Sequence, residues 1–170
     1  MKKLIIVFAL FLGWSVNQTQ AQSADANITF TKVIDASADQ VWSILREMDD
    51  IDEYSSAISK VVWTGQKGKG GERVCYPPKG QQGYFKENIV AFDDANRTYS
   101  YAVVEGIPAK GMVNTFKVLD LGYQKSMIVW SSNFDEFMKN PQMTEEQFMG
   151  FLNNSLKEMV DNVIVAAKKA

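Results

Sequence analysis

The chain has 170 residues, of which 46% are hydrophobic and 22% are charged, so it suits one soluble domain with a single core. Its formal charge is −2, and no run of basic residues appears. Nucleic-acid binding requires Lys and Arg to neutralise phosphates, and this composition disfavours it.

The first 21 residues have the pattern of a cleavable signal peptide. Two lysines precede the apolar run "LIIVFALFLGW", and "TQA" places Thr19 and Ala21 at positions −3 and −1 of a cleavage site. The run is shorter than the roughly 20 residues that a membrane-spanning helix needs. We therefore expect cleavage after Ala21, no stable membrane anchor, and a periplasmic or secreted protein. Residues 22–170 would form a single domain with a charge of −4, because the leader carries two lysines and no acid.

A strand and a short helix open this domain. Apolar residues alternate along residues 27–35, which is typical of a half-buried strand. Ser37 and Gln40 then form a capping box, and apolar residues follow at helical spacing up to Met48. The acidic stretch "DDIDEY" predicts a second, shorter helix or a loop.

The middle of the chain predicts six strands joined by mostly short loops. Each strand is rich in aromatic or β-branched residues and ends at glycine, proline or a polar turn. The predicted strands are residues 58–64, 72–76, 83–93, 98–105, 112–121 and 125–135. The order favours an antiparallel meander with a tight hairpin at "GYQ".

A long helix ends the chain. Thr144 and Gln147 form a second capping box, and an apolar stripe continues to Ala167 without proline. Such a helix is roughly 36 Å long, enough to cross a whole sheet. The predicted fold is therefore α+β: a curved seven-stranded antiparallel sheet, two short helices after strand 1, and a long C-terminal helix across the concave face. The short helices would close one end of a cavity.

Several stretches resemble the SRPBCC superfamily, the START-like or helix-grip proteins, close to its polyketide cyclase/dehydrase group. They are "VIDASADQVWSILREMDDIDEY", "GERVCY", "GYFKENIVAFDDANRTYSYAV", "PAKGMVNTFKV" and "SMIVWSSNFD". The resemblance covers about residues 27–168 and implies a pocket between the final helix and the sheet. It also implies that the loops 76–83 and 105–111 act as a gate and a latch. It does not name a ligand, because this superfamily hosts binders, enzymes and subunits alike.

The chain has no histidine, which removes the commonest general base and metal ligand. The single cysteine, Cys75, cannot form an internal disulfide, and it is either a reactive thiol near Arg73 or a small buried hydrophobe. The glycine-rich stretch "GQKGKGG" precedes a strand rather than a helix, so it fails the test for a phosphate loop. We expect neither a metal nor a cofactor.

Glu87 is the strongest candidate for chemistry. It shares strand parity with Phe85, Ile89 and Ala91, so its carboxylate would face the cavity, paired with a cation such as Arg73. The alternative is that Phe85 and Glu87 lie on an exposed edge.

Further candidates would line the pocket beside Glu87. Tyr99 and Tyr101 would direct both hydroxyls to one face, where they meet a ligand or serve as core wall. The remaining candidates for ligand binding are Tyr54, Phe85, Asn114, Trp130, Phe148, Leu152 and Met159.

Three functions remain open at this point. The first is binding of a small hydrophobic or amphipathic molecule in the pocket. The second is a histidine-free enzyme resembling a cyclase/dehydrase or lyase, in which Glu87 moves a proton, Tyr99 or Tyr101 assists and Arg73 stabilises an enolate oxygen. The third is an accessory protein with a packed core that binds another exported protein.

Overall fold

The computed structural model describes residues 27–169, so the predicted signal peptide at residues 1–21 lies outside the described residues. Within residues 27–169 there are two α-helices and nine strands, and the helices and seven of the strands follow the predicted order. The helices are α1 (Ala38–Leu45) and α2 (Glu145–Ala167). The strands are β1 (Ile28–Ile34), β2 (Lys60–Thr64), β3 (Glu72–Tyr76), β4 (Phe85–Asp93), β5 (Thr98–Glu105), β6 (Ala109–Lys110), β7 (Val113–Gly122), β8 (Lys125–Asn133) and β9 (Glu136–Phe137).

Seven of these strands form one antiparallel sheet in the order β1-β8-β7-β5-β4-β3-β2. The first strand pairs with β8, and the others follow as a meander. The α+β helix-grip prediction is therefore confirmed. The hairpin at "GYQ" is also present, with both central residues, Tyr123 and Gln124, at positive φ, as a tight two-residue turn requires.

Both helices begin at the predicted capping boxes. The Ser37 hydroxyl accepts a hydrogen bond from the Gln40 amide at 3.2 Å, and Thr144 accepts one from Gln147 at 3.2 Å. The apolar stripe of α2 is buried from Phe148 to Ala167. Among the residues that the structure describes, no helix is long and apolar enough to cross a membrane.

The structure corrects three local predictions. The second short helix is a single 3-10 turn at Ile51–Glu53. A bulge between Ile89 and Ala91 makes Val90 an extra residue, so Ala91 is exposed and Phe92 turns inward against Trp42. The strands β6 and β9, which pair with each other, were not predicted, because each has only two residues.

Candidate functional site

A pocket lies between the concave face of the sheet and α2. Its floor comes from β4, β5, β7 and β8, its roof from one face of α2, and one end is closed by residues 51–58. It has a volume of about 80 Å³. We call it the inner pocket; its lining residues are Ile51, Ser55, Ala57, Ile58, Phe85, Glu87, Tyr101, Val103, Ile107, Met112, Asn114, Trp130, Phe151, Leu152, Ser155, Leu156 and Met159.

A buried ion pair stands at the edge of this pocket. Arg73 on β3 lies directly opposite Glu87 on β4, and its Nε donates to Glu87 Oε2. Arg73 is completely buried and Glu87 is 6% exposed. The Arg73 Nη1 donates to the carbonyl of Met48, which follows α1, so the guanidinium also ties the sheet to the helical end of the pocket.

Aromatic side chains surround the guanidinium. The Arg73 Cζ lies 4.6 Å from the centre of the Tyr101 ring, a distance at which a cation is attracted to the ring face. The Tyr54 hydroxyl, the Tyr99 hydroxyl and Arg73 Nη2 are buried and have no hydrogen-bond partner of regular geometry within residues 27–169. Burial raises the pKa of Tyr99, and it raises the pKa of Tyr54 and of Tyr101 well above the usual value, so all three are neutral at pH 7.

Cys75 belongs to the same buried cluster. Its side chain is fully buried, and its Sγ lies 3.9 Å from Glu87 Oε2. Burial, and then the charge of Glu87, raise the pKa of the thiol to about 12. A thiol that stays protonated is a poor nucleophile, so Cys75 acts as a small hydrophobe rather than as a reactive group.

The raised pKa of Cys75 predicts a loss of stability in alkali. The unfolded thiol ionises near pH 8.5, whereas the folded one ionises near 12, so only the unfolded chain loses this proton in between. The contribution of the Cys75 thiol to the free energy of unfolding is therefore fully present below about pH 8.5 and is lost as the pH rises towards 12. We expect Cys75→Ala to flatten the fall in unfolding free energy between pH 8.5 and 10.5, measured by urea denaturation.

A labelling experiment is the control for this prediction. At pH 8 the folded protein should resist iodoacetamide, while the protein unfolded in guanidinium should be alkylated rapidly at Cys75. Fast alkylation of the folded protein would contradict both the burial and the direction of the pKa shift.

The structure brings most of the predicted site residues to one place. Those lining the inner pocket are Phe85, Glu87, Tyr101, Asn114, Trp130, Leu152 and Met159. Arg73, Tyr54 and Tyr99 lie behind the lining, and Phe148 packs against Phe134 and Phe137 instead. Glu87 is thus on the concave face and paired, not on an exposed edge. The role of all these residues in ligand binding stays a prediction.

Sequence reasoning missed several lining residues. Ile107 comes from the loop between β5 and β6, Met112 directly precedes β7, and Phe151 lies beside the predicted stripe of α2. An isoleucine inside the turn "GIPAKG" was the available signal, since exposed turns rarely carry one. Phe151 lies three residues after Phe148 and four before Ser155, so helical spacing was the available signal for it, although the side chain is 39% exposed.

The two predicted gate loops meet outside the pocket. A second hollow of about 350 Å³, the vestibule, is lined by Ala57, Pro77, Gln81, Gln82, Gly83, Tyr84, Phe85, Glu105, Gly106 and Phe151. The Tyr84 hydroxyl donates to Glu105 at 2.5 Å, which joins the ends of both loops. Gly106 has a φ of +94°, and a Cβ there would lie 1.9 Å from the Tyr84 carbonyl oxygen, so this close approach requires glycine.

Many solved structures resemble this chain, and three examples follow. XoxI from Bacillus cereus has a TM-score of 0.69 and 18% identity over 82% of this chain and 93% of its own. A protein from Thermobifida fusca has a TM-score of 0.69 and 17% identity, over 84% and 93% respectively. A point mutant of norcoclaurine synthase from Thalictrum flavum, in complex with a transition-state analogue, has a TM-score of 0.64 and 19% identity, over 84% and 93%. At these identities the likeness shows a shared fold.

No curated protein matches the sequence. Residues 25–167 match the family described as polyketide cyclase / dehydrase and lipid transport, which is most of the chain. The chain therefore belongs to the polyketide cyclase / dehydrase and lipid transport family, within the SRPBCC superfamily.

Proposed function

We propose that this protein is an exported domain that binds a small, mostly apolar molecule in the inner pocket. The observation that carries the proposal is a hollow under α2 whose lining is mainly aliphatic and aromatic, and among the described residues Glu87 is the one carboxylate in it. Membership of a family whose members bind small hydrophobic ligands supports it. The hollow also disfavours the alternative of a fully packed accessory protein.

The size of the inner pocket sets the manner of binding. Its volume of about 80 Å³ is roughly half that of a cavity known to admit benzene. Ala57, Phe85 and Phe151 line both the inner pocket and the vestibule, so they stand between the two spaces. Even a single aromatic ring would therefore displace Phe151 or extend past it into the vestibule.

Native mass spectrometry of protein purified from its own host tests both parts of the proposal. The expected result is a chain beginning at Gln22 that carries an additional small, apolar mass, released on denaturation. A chain that still begins at Met1 would overturn export. If no ligand is carried and no apolar probe binds the purified protein, the binding function is wrong.

A second candidate function is proton-transfer catalysis in the same pocket. Glu87 and the neutral Tyr101 both line the hollow, and the buried cation of Arg73 stands behind Glu87. The family description includes cyclases and dehydrases, and the norcoclaurine synthase structure holds a transition-state analogue. Tyr99 does not line the pocket, so Tyr101 is the tyrosine of this candidate.

The variant Glu87→Gln separates binding from catalysis. The glutamine keeps a carbonyl that accepts a hydrogen bond, but its amide cannot act as an acid or a base near neutral pH. For a binding protein we expect ligand affinity to stay within a few-fold, as measured by calorimetry. For an enzyme we expect turnover to be abolished while binding persists. Turnover that survives the substitution would remove Glu87 from any catalytic role.

A further inference from the structure

The polar side chains that line the inner pocket carry no positive charge among residues 27–169. Glu87, Asn114, Tyr101 and Trp130 lie on its floor, and Ser55 and Ser155 lie at its edge and roof. Within the described part of the chain, no lysine or arginine lines it. Arg73 is completely buried and contacts Glu87 from behind the lining.

Only one of the two oxygens of the Glu87 carboxylate has a hydrogen-bond partner within residues 27–169. Its Oε2 accepts from Arg73 Nε and lies near the Cys75 thiol. No hydrogen bond to its Oε1 is present within residues 27–169, although Glu87 lines the hollow. A carboxylate oxygen accepts more than one hydrogen bond, so the pair leaves an acceptor facing the pocket. The two charges of the pair cancel, so this acceptor belongs to a locally neutral unit.

Asn114 offers a second polar contact. It is 3% exposed and lies on β7 opposite Tyr101. Its side-chain amide makes no hydrogen bond within the described part of the chain. The strands β4 and β7 are separated by β5, and Glu87 lies two residues along from the position level with Asn114, so the two residues are about 12 Å apart by strand spacing. Between them the floor is aromatic and aliphatic, formed by Tyr101 and Val103.

From this arrangement, and resting on the proposed binding function, we propose that the inner pocket selects ligands with an uncharged hydrogen-bond donor at their inner end. The ligand class is an alcohol or a phenol, whose hydroxyl donates to Glu87. The rest of its skeleton is apolar and runs under α2 towards Phe151 and the vestibule.

The same arrangement disfavours charged ligands. A carboxylate on the same skeleton would be buried beside Glu87 without a cation to receive it, since Arg73 already pairs with Glu87. An ammonium would meet Glu87 but also the cation behind it, and a neutralised pair gives little attraction to repay the lost hydration. A hydrocarbon buries no charge, but it leaves the acceptor of Glu87 unsatisfied, which weakens its binding.

Three matched probes test the selection on the unaltered protein. Calorimetry at pH 7 with naphthalene, 2-naphthol and 2-naphthoate compares no polar group, a neutral donor and an anion on one skeleton. We expect 2-naphthol to bind about tenfold more tightly than naphthalene and at least tenfold more tightly than 2-naphthoate. Equal or tighter binding of 2-naphthoate would overturn the selection while leaving the proposed function intact. Binding of none of the three would overturn the proposed function itself.

Two variants locate the selection at Glu87. In Glu87→Gln the Arg73 cation is unpaired. We therefore expect the affinity for 2-naphthoate to rise at least tenfold, while the affinity for 2-naphthol stays within a few-fold of that of the unaltered protein. In the double variant Arg73→Met, Glu87→Met no buried charge remains, and we expect 2-naphthol to lose its advantage over naphthalene. The double variant contains no unpaired charge, so it answers the question even if the single variant is too unstable to study.

A matched control removes a carboxylate elsewhere on the same sheet. Glu72 on β3 pairs with Lys86 and does not line the inner pocket. Glu72→Gln should leave the ratio of 2-naphthol to 2-naphthoate affinity unchanged. A change as large as that of Glu87→Gln would mean that overall charge, not the pocket, sets the preference, and the proposal would be wrong.

Discussion

Replacing Arg73 by methionine is expected to destabilise the protein by about 3–5 kcal/mol, because it leaves the buried carboxylate of Glu87 without its cation. The substitution also removes the donor to the Met48 carbonyl and the contact with the Tyr101 ring. Methionine fills a similar volume, so lost packing contributes little. Urea denaturation measures the change in unfolding free energy.

Two further variants test whether the loss of stability comes from leaving the buried carboxylate of Glu87 without its cation. The double variant Arg73→Met, Glu87→Met removes the whole pair, and we expect it to recover most of the loss, because replacing a buried pair by apolar groups is often neutral. Lys86→Met breaks the solvent-accessible pair with Glu72 between the same two strands and should cost much less, because water screens this pair. If Arg73→Met costs no more than Lys86→Met, the buried pair is not what holds this end of the sheet.

The helices and the order of strands could be predicted because their signals are local. Each capping box consists of two residues three positions apart, as with Ser37 and Gln40, and the structure contains both boxes. The alternation of apolar residues along 27–35 predicted the strand β1 equally well. Lys32 lies on the inward-facing side of β1, and its ion pair with Asp161 on α2 explains how a charged residue is accommodated there.

What could not be predicted depends on register between distant segments. Whether Arg73 and Glu87 meet is decided by the pairing of β3 with β4, and a shift of one residue would have turned one side chain to the other face. The bulge at Val90 likewise reverses the parity of Ala91 and Phe92 without any glycine or proline to announce it.

The pocket itself follows from these nonlocal contacts. Sequence parity placed Glu87, Tyr101 and Trp130 on one face, and all three line the hollow. It could not show that Tyr99, two residues before Tyr101 on β5, is buried behind these residues, or that its hydroxyl has no hydrogen-bond partner within residues 27–169. The distance between strand and helix, which no single segment encodes, decides whether an inward residue is lining or core.

Filling the inner pocket from α2 should separate binding from stability. Ser155 lies on the pocket side of α2 and is half-buried, and Ser155→Leu would place an apolar side chain in the hollow of about 80 Å³. Filling such a cavity commonly stabilises a protein by about 0.5–2 kcal/mol, and leucine favours the helix. We therefore expect the unfolding free energy to rise by about 1 kcal/mol while the affinity for an apolar probe falls more than tenfold.

The opposite signs make this variant decisive, because a merely damaged protein would lose both stability and affinity. Asn154→Leu is the matched control: it adds leucine to the neighbouring, exposed position of α2, outside the pocket lining, and should leave probe affinity unchanged. Calorimetry with 2-naphthol and urea denaturation give the two quantities for each variant. Undiminished affinity in Ser155→Leu would mean that ligands bind elsewhere, and the space beneath α2 would then be a packing defect rather than a binding site.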